Sequence, residues 1–155
     1  MRFRISALPQ DEFAPLFALD DAQLLARGAK RYVATRTPGF PCRVSLQDAS
    51  VGESLVLVPY THQSADSPYK SSGPIFVRES ARQASLRVDE VPEQLRLRLL
   101  SVRAYDAGAL MADADVVEGQ VLESVVERLF SDPTVAYLHV HYARPGCYAC
   151  RIDRA

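Results

Sequence analysis

Long apolar runs, lysine, asparagine and an excess of charge of either sign are what this 155-residue sequence lacks. Its unbroken apolar stretches cover a few residues, against the ~20 that a membrane helix needs, so no segment is expected to span a bilayer. The formal net charge is −1 and the pI about 6.3, which removes any domain-wide attraction to nucleic acid or anionic lipid. Only Lys30 and Lys70 among the 18 basic residues are lysine, a bias towards arginine that a GC-rich genome explains. Three cysteines, Cys42, Cys147 and Cys150, are an odd number and fit a reducing compartment better than a disulfide framework. The opening residues have Pro9, Gln10, Asp11 and Glu12 where a signal peptide would need an apolar run. A cytoplasmic protein is therefore expected. With 48% hydrophobic and 24% charged residues, the chain has the composition of one globular domain over residues 1–155.

What is present reads as an α+β fold. Asp20 with Gln23 three residues on is a capping-box pattern for a helix that Gly28 stops, and a shorter helical turn over 11–17 precedes it. Short β-like runs follow at 31–35, 42–46, 55–60 and 74–79, with Arg43 on the polar side of its alternation. Residues 60–73 read as a long polar loop between two of these runs. Pro92 opens a short helix, and 99–105 and 110–117 read as an antiparallel pair. Val121, Leu122, Val125, Val126, Leu129 and Phe130 then recur on one helical face, and strands at 135–143 and 147–152 close the chain as a hairpin. The expectation is a mainly antiparallel sheet, N-terminal helices and one long amphipathic helix before the C-terminal hairpin.

The chemistry-bearing residues concentrate in few places. His139 and His141 are two apart on a strand, so they share a face with Tyr137, while Ala136, Leu138 and Val140 face the core. An H-x-H pair can reach one metal ion, with His62 as a third ligand, but no carboxylate follows the second histidine. Cys147 and Cys150 point to opposite faces of a strand. The reading therefore expects no bound metal and no cofactor. Either Cys147 or Cys150 becomes the neighbour of His141, depending on the hairpin register. Arg43, Arg103 and Arg144 lie on or beside strands and could converge on a carboxylate or phosphate. Glycine-rich phosphate loops, nucleophile elbows and zinc-protease helices have no match in the sequence.

The segments Pro38-Gly39-Phe40-Pro41-Cys42-Arg43, Ser67-Pro68-Tyr69, Gly73-Pro74-Ile75-Phe76-Val77 and His139-Val140-His141-Tyr142-Ala143-Arg144-Pro145-Gly146-Cys147 together resemble the bacterial family catalogued as domain of unknown function 1203. The resemblance runs over about residues 3–154 and implies a bacterial, cytosolic, single-domain protein, leaving its activity to be read from the residues. Two readings of function follow. In the first, a small enzyme or binding protein takes an anionic small molecule: Arg43, Arg103 and Arg144 hold the anion with His139. His62 or His141 then moves a proton, Tyr69 closes the pocket, and Cys147 is a nucleophile in a narrower version. The alternative is a non-catalytic interaction module, a homodimer included, using the sheet face or an edge strand. Neither involves nucleic acid or a membrane.

Overall fold

The computed structural model describes residues 1–155. In chain order its elements are β1 (Phe3–Ser6), α1 (Gln10–Phe13), α2 (Asp21–Ala26), β2 (Lys30–Val33), β3 (Ser54–Gln63), β4 (Ser71–Arg78), α3 (Glu93–Arg96), β5 (Leu99–Asp106), β6 (Met111–Glu118), α4 (Leu122–Phe130), β7 (Val135–Tyr142) and β8 (Tyr148–Arg154). The fold is α+β with mainly antiparallel strands, as the periodicities predict. No helix is long and apolar enough to cross a membrane.

The chain forms two compact units. One comprises Met1–Ser6, Thr61–Gly73 and Leu86–Ala155. Its frame is a five-stranded antiparallel sheet in the order β1-β8-β7-β5-β6. Directly paired residues share a face, so the register defines two surfaces. Val102, Val140 and Cys150 form one buried row, and Ala104, Leu138, Ile152 and Ile5 form the next. On the reverse, Arg103 pairs with His139 and His139 with Arg151. α4 packs against β6 and β7 with Leu122, Val125, Val126, Leu129 and Phe130 buried, each contributing roughly 1.5–3 kcal/mol of transfer free energy before entropy. Val121 belongs to the turn before the helix, out of phase with that stripe, and is exposed. That turn closes on Gly119, where a β-carbon would sit 1.8 Å from the Leu95 carbonyl oxygen, so only glycine fits.

The second unit comprises Ala7–Tyr60 and Pro74–Ser85. Asp20 and Gln23 form the expected capping box on α2, Asp20 accepting from the Gln23 amide and the Gln23 side chain from the Asp20 amide. β2 pairs with β3, and β4 completes a three-stranded sheet. Ala34, Ala49 and Leu55 pack with Phe40 and Phe76, whose rings lie 5.3 Å apart.

Three expectations are corrected here. The polar segment 60–73 is not one loop but half strand: β3 continues to Gln63 and β4 begins at Ser71, leaving 64–70 as the connection. Thr61 and Ser72 face each other at 2.8 Å between their hydroxyls, so a polar hairpin tip carries no apolar alternation to betray it. Residues 42–46 are not a strand but a tight turn, in which the Leu46 amide donates to the Cys42 carbonyl and Leu46 takes a φ of 52°. Arg43 consequently points inward, 1% exposed, with its guanidinium donating to the Pro41 carbonyl. On β7, Leu138 and Val140 are buried as expected, whereas Ala136 near its start is exposed.

Candidate functional site

β7 is buried on both faces, which changes what its histidines cost. His139 and His141 share the face opposite Leu138 and Val140, as the alternation requires, yet they are only 3% and 1% exposed. The extended end of β3 brings His62 to them: its ring centroid lies 4.8 Å from that of His141 and 6.2 Å from that of His139. Ligand-capable atoms of the three histidines all lie within 4.8 Å of one another. Gln63, the next residue, donates to the Tyr137 hydroxyl at 2.9 Å, and Ser67 in the connection donates to the Ala109 carbonyl at 3.0 Å. The hairpin tip is thereby anchored just beyond His62.

A β-bulge completes the cluster. Val140 pairs with Cys150 but His141 pairs with Tyr148, so Ala149 is the extra residue on β8. This decides the register left open by the sequence: Cys150 falls on the core face beside Val140, and Tyr148, not either cysteine, stands across from His141. The Tyr148 ring stacks on His62 at 5.5 Å and 6°, and meets His139 edge-on at 5.4 Å. Tyr105 and Tyr137, stacked at 5.4 Å, each lie 5.2 Å from His139 on its other side. Tyr69, 39% exposed, abuts Tyr105 at 5.9 Å.

The surroundings disfavour the charged form of His139 and of His62. Burial first, then repulsion of its charged form by the charged forms of His141 and His62 and by the Arg151 and Arg103 guanidiniums, drives the His139 pKa down to about 3. Burial and the Arg103 guanidinium lower that of His62 as well. Burial also raises the Tyr105 hydroxyl, opposed by its hydrogen bond from Arg103. The His141 Nδ1 lies 3.0 Å from the Gly146 carbonyl, which can only accept, so Nδ1 carries a proton. By contrast, the Nδ1 atoms of His62 and His139 are buried without a hydrogen-bond partner. Such orphaned polar atoms are rare in folded proteins and cost about 1–3 kcal/mol each.

Residues 39–154 match the family described as Protein of unknown function (DUF1203). The chain belongs to that family. The matched stretch contains His62, Arg103, Tyr105, Tyr137, His139, His141, Tyr148 and Arg151, so the whole cluster lies within the family's extent. No curated protein and no solved structure matches the chain.

Of the residues singled out from the sequence, His62, His139, His141, Arg103 and Tyr69 belong to one unit and to this cluster or its rim. Arg144 is exposed in the turn between β7 and β8, and Cys147 follows that turn. Arg43 belongs to the other unit. Sequence reasoning missed Tyr148, Tyr105 and Arg151. The bulge hid the first; the other two required knowing that β5 and β8 flank β7.

Proposed function

We propose that the protein is a small enzyme or binding protein for a small oxyanion, a carboxylate or phosphate, taken at the face carrying His62, His139, His141 and Arg103. One observation carries the reading: Arg103 stands directly across the strand pair from His139, on the face that carries the histidines. A guanidinium on that face can grip an incoming anion with two parallel N–H donors. Arg151 is less available, because its guanidinium is clamped by both Asp153 oxygens and lies 4.0 Å over the Tyr137 ring. His62, partly exposed and lowered in pKa, is the residue to accept a proton from a bound ligand, with His141 behind it. This reading gives Cys147 no role; Tyr148 stands across from His141. The reading keeps the expectation of a bacterial cytoplasmic protein, supported by an odd number of cysteines and no disulfide.

The interaction-module alternative has less support from the edges of the five-stranded sheet, where several backbone groups already have partners within the chain. Phe3 of β1 exchanges hydrogen bonds with Asp89 through its amide and carbonyl. The Ala114 and Val116 amides of β6 donate to the Asp113 and Asp115 side chains.

Calorimetric titration of untagged, metal-free protein with inorganic phosphate and small carboxylates tests the proposal. Arg103→Ala is expected to weaken binding at least ~30-fold, about 2 kcal/mol, while Arg144→Ala binds as the parent does. Binding that survives Arg103→Ala, or no binding across the panel, would overturn it.

A further inference from the structure

We infer that His62, His139 and His141 together hold one divalent first-row transition-metal ion, with zinc the best match to an all-imidazole donor set. Three independent features of the cluster support this. The ligand-capable atoms already lie within 4.8 Å of one another, and nitrogens around a tetrahedral ion at about 2.0–2.1 Å sit about 3.3 Å apart, so side-chain rotations of modest size close the site. The buried Nδ1 atoms of His62 and His139, which the protein leaves without a hydrogen bond, gain partners in the ion. The proton of His141 is fixed on Nδ1 by the Gly146 carbonyl, which is the outer hydrogen bond that orients a metal-bound imidazole and raises the basicity of its other nitrogen.

The donor set also selects the ion. Imidazole suits zinc, copper, nickel and iron, whereas calcium and magnesium require oxygen ligands that this cluster does not offer. The carboxylate that the sequence pattern lacks after His141 is replaced by His62, delivered from a strand more than seventy residues earlier. Three protein ligands leave a fourth position for water or an exogenous ligand, on a face that Arg103 shares. The metal site does not depend on the anion reading, and the two can fail separately.

The test uses untagged protein stripped with a chelator, dialysed, and titrated with Co²⁺ and then Zn²⁺. One equivalent of Co²⁺ should give the intense visible absorption of a four-coordinate ion, and one equivalent of Zn²⁺ should abolish it. His62→Ala, at a partly exposed hairpin position, should keep the parent's circular dichroism and lose affinity by at least the 10–100-fold that even a lost outer partner costs. Because His139 and His141 are buried and their variants could fail to fold, the parent is also followed by imidazole ¹⁵N resonances, all three of which should shift with Zn²⁺. Only the weak absorption of aqueous octahedral Co²⁺, unaltered affinity in His62→Ala, or shifts at fewer than three histidines would overturn the inference. Phosphate titrated into the metal-free protein separates the readings. Phosphate binding without Co²⁺ binding removes the metal site alone; Co²⁺ binding without phosphate binding removes the anion reading alone.

Discussion

At the scale of single residues, environment rather than residue type decides the role of a side chain. Arg43, Arg103 and Arg151 are chemically identical. Yet Arg43 is sealed inside a turn, Arg151 is ion-paired with Asp153, and Arg103 stands across from His139 on the histidine face. His139 shows the same dependence in its protonation. The groups facing it are His141, His62, Arg151 and Arg103, none of them anionic, and the rings of Tyr105, Tyr137 and Tyr148. Its pKa is about 3 in the fold against an ordinary 6.5, so between those values the unfolded chain binds the extra proton. The stability tied to neutral His139 is therefore complete above about pH 6.5 and is lost progressively as the pH falls towards 3. Urea unfolding of metal-free protein should lose about 2 kcal/mol between pH 7 and pH 5 through this residue. His139→Gln, which cannot titrate, should show a correspondingly shallower slope. Parallel slopes in parent and variant would mean that His139 is protonated in the fold.

At the scale of elements, the edge strand β6 shows how a sheet can be finished without a further strand. Its Asp113 and Asp115 accept from the following backbone amides, and Arg128 of α4 holds both carboxylates at 2.8 Å. These ion pairs are exposed and screened by solvent, so the effect of the aspartates lies in occupying amides that would otherwise template another strand. Replacing both aspartates with alanine should leave thermal stability nearly unchanged and increase concentration-dependent association, read by sedimentation velocity. Association equal to the parent's would show that the caps do not guard this edge. The same elements show what could be read from sequence. The α4 stripe, the α2 capping box and the shared face of His139 and His141 were legible because apolar periodicity and cap chemistry are local. The four-residue β1 carries too little alternation to announce itself, and 42–46 alternates by coincidence while all of it is buried. The bulge at Ala149 is a one-residue slip that no composition records, which is why Tyr148 was missed. His62 was legible as a candidate, but only the polar extension of β3 explains how it reaches β7.

At the scale of the whole molecule, the cluster is assembled from segments that are distant in sequence. The bond between Gln63 and Tyr137 spans 74 residues, and β5 lies between them in the chain. Closing so long a loop costs only slightly more than closing one half its length, because the entropy grows logarithmically. A metal ion bound to His62, His139 and His141 would join the hairpin tip to β7 in the folded chain and find no such arrangement in the unfolded one. Mass action then adds about 2.7 kcal/mol of stability when the free ion is at 100 times its dissociation constant. For a chain of this length that corresponds to roughly 5–11 °C in melting temperature, at about 2–4 °C per kcal/mol. Zn²⁺ added to chelator-treated protein should produce a shift of that order. Amide exchange should slow first in Thr61–Gly73 and along β7, which belong to one unit and carry the three ligands. His62→Ala should remove both effects while retaining its own metal-free melting temperature close to the parent's. A shift that persists in His62→Ala, or protection gained mainly in Ala7–Tyr60, would put the ion elsewhere on the chain and leave the buried Nδ1 atoms of His62 and His139 needing another explanation.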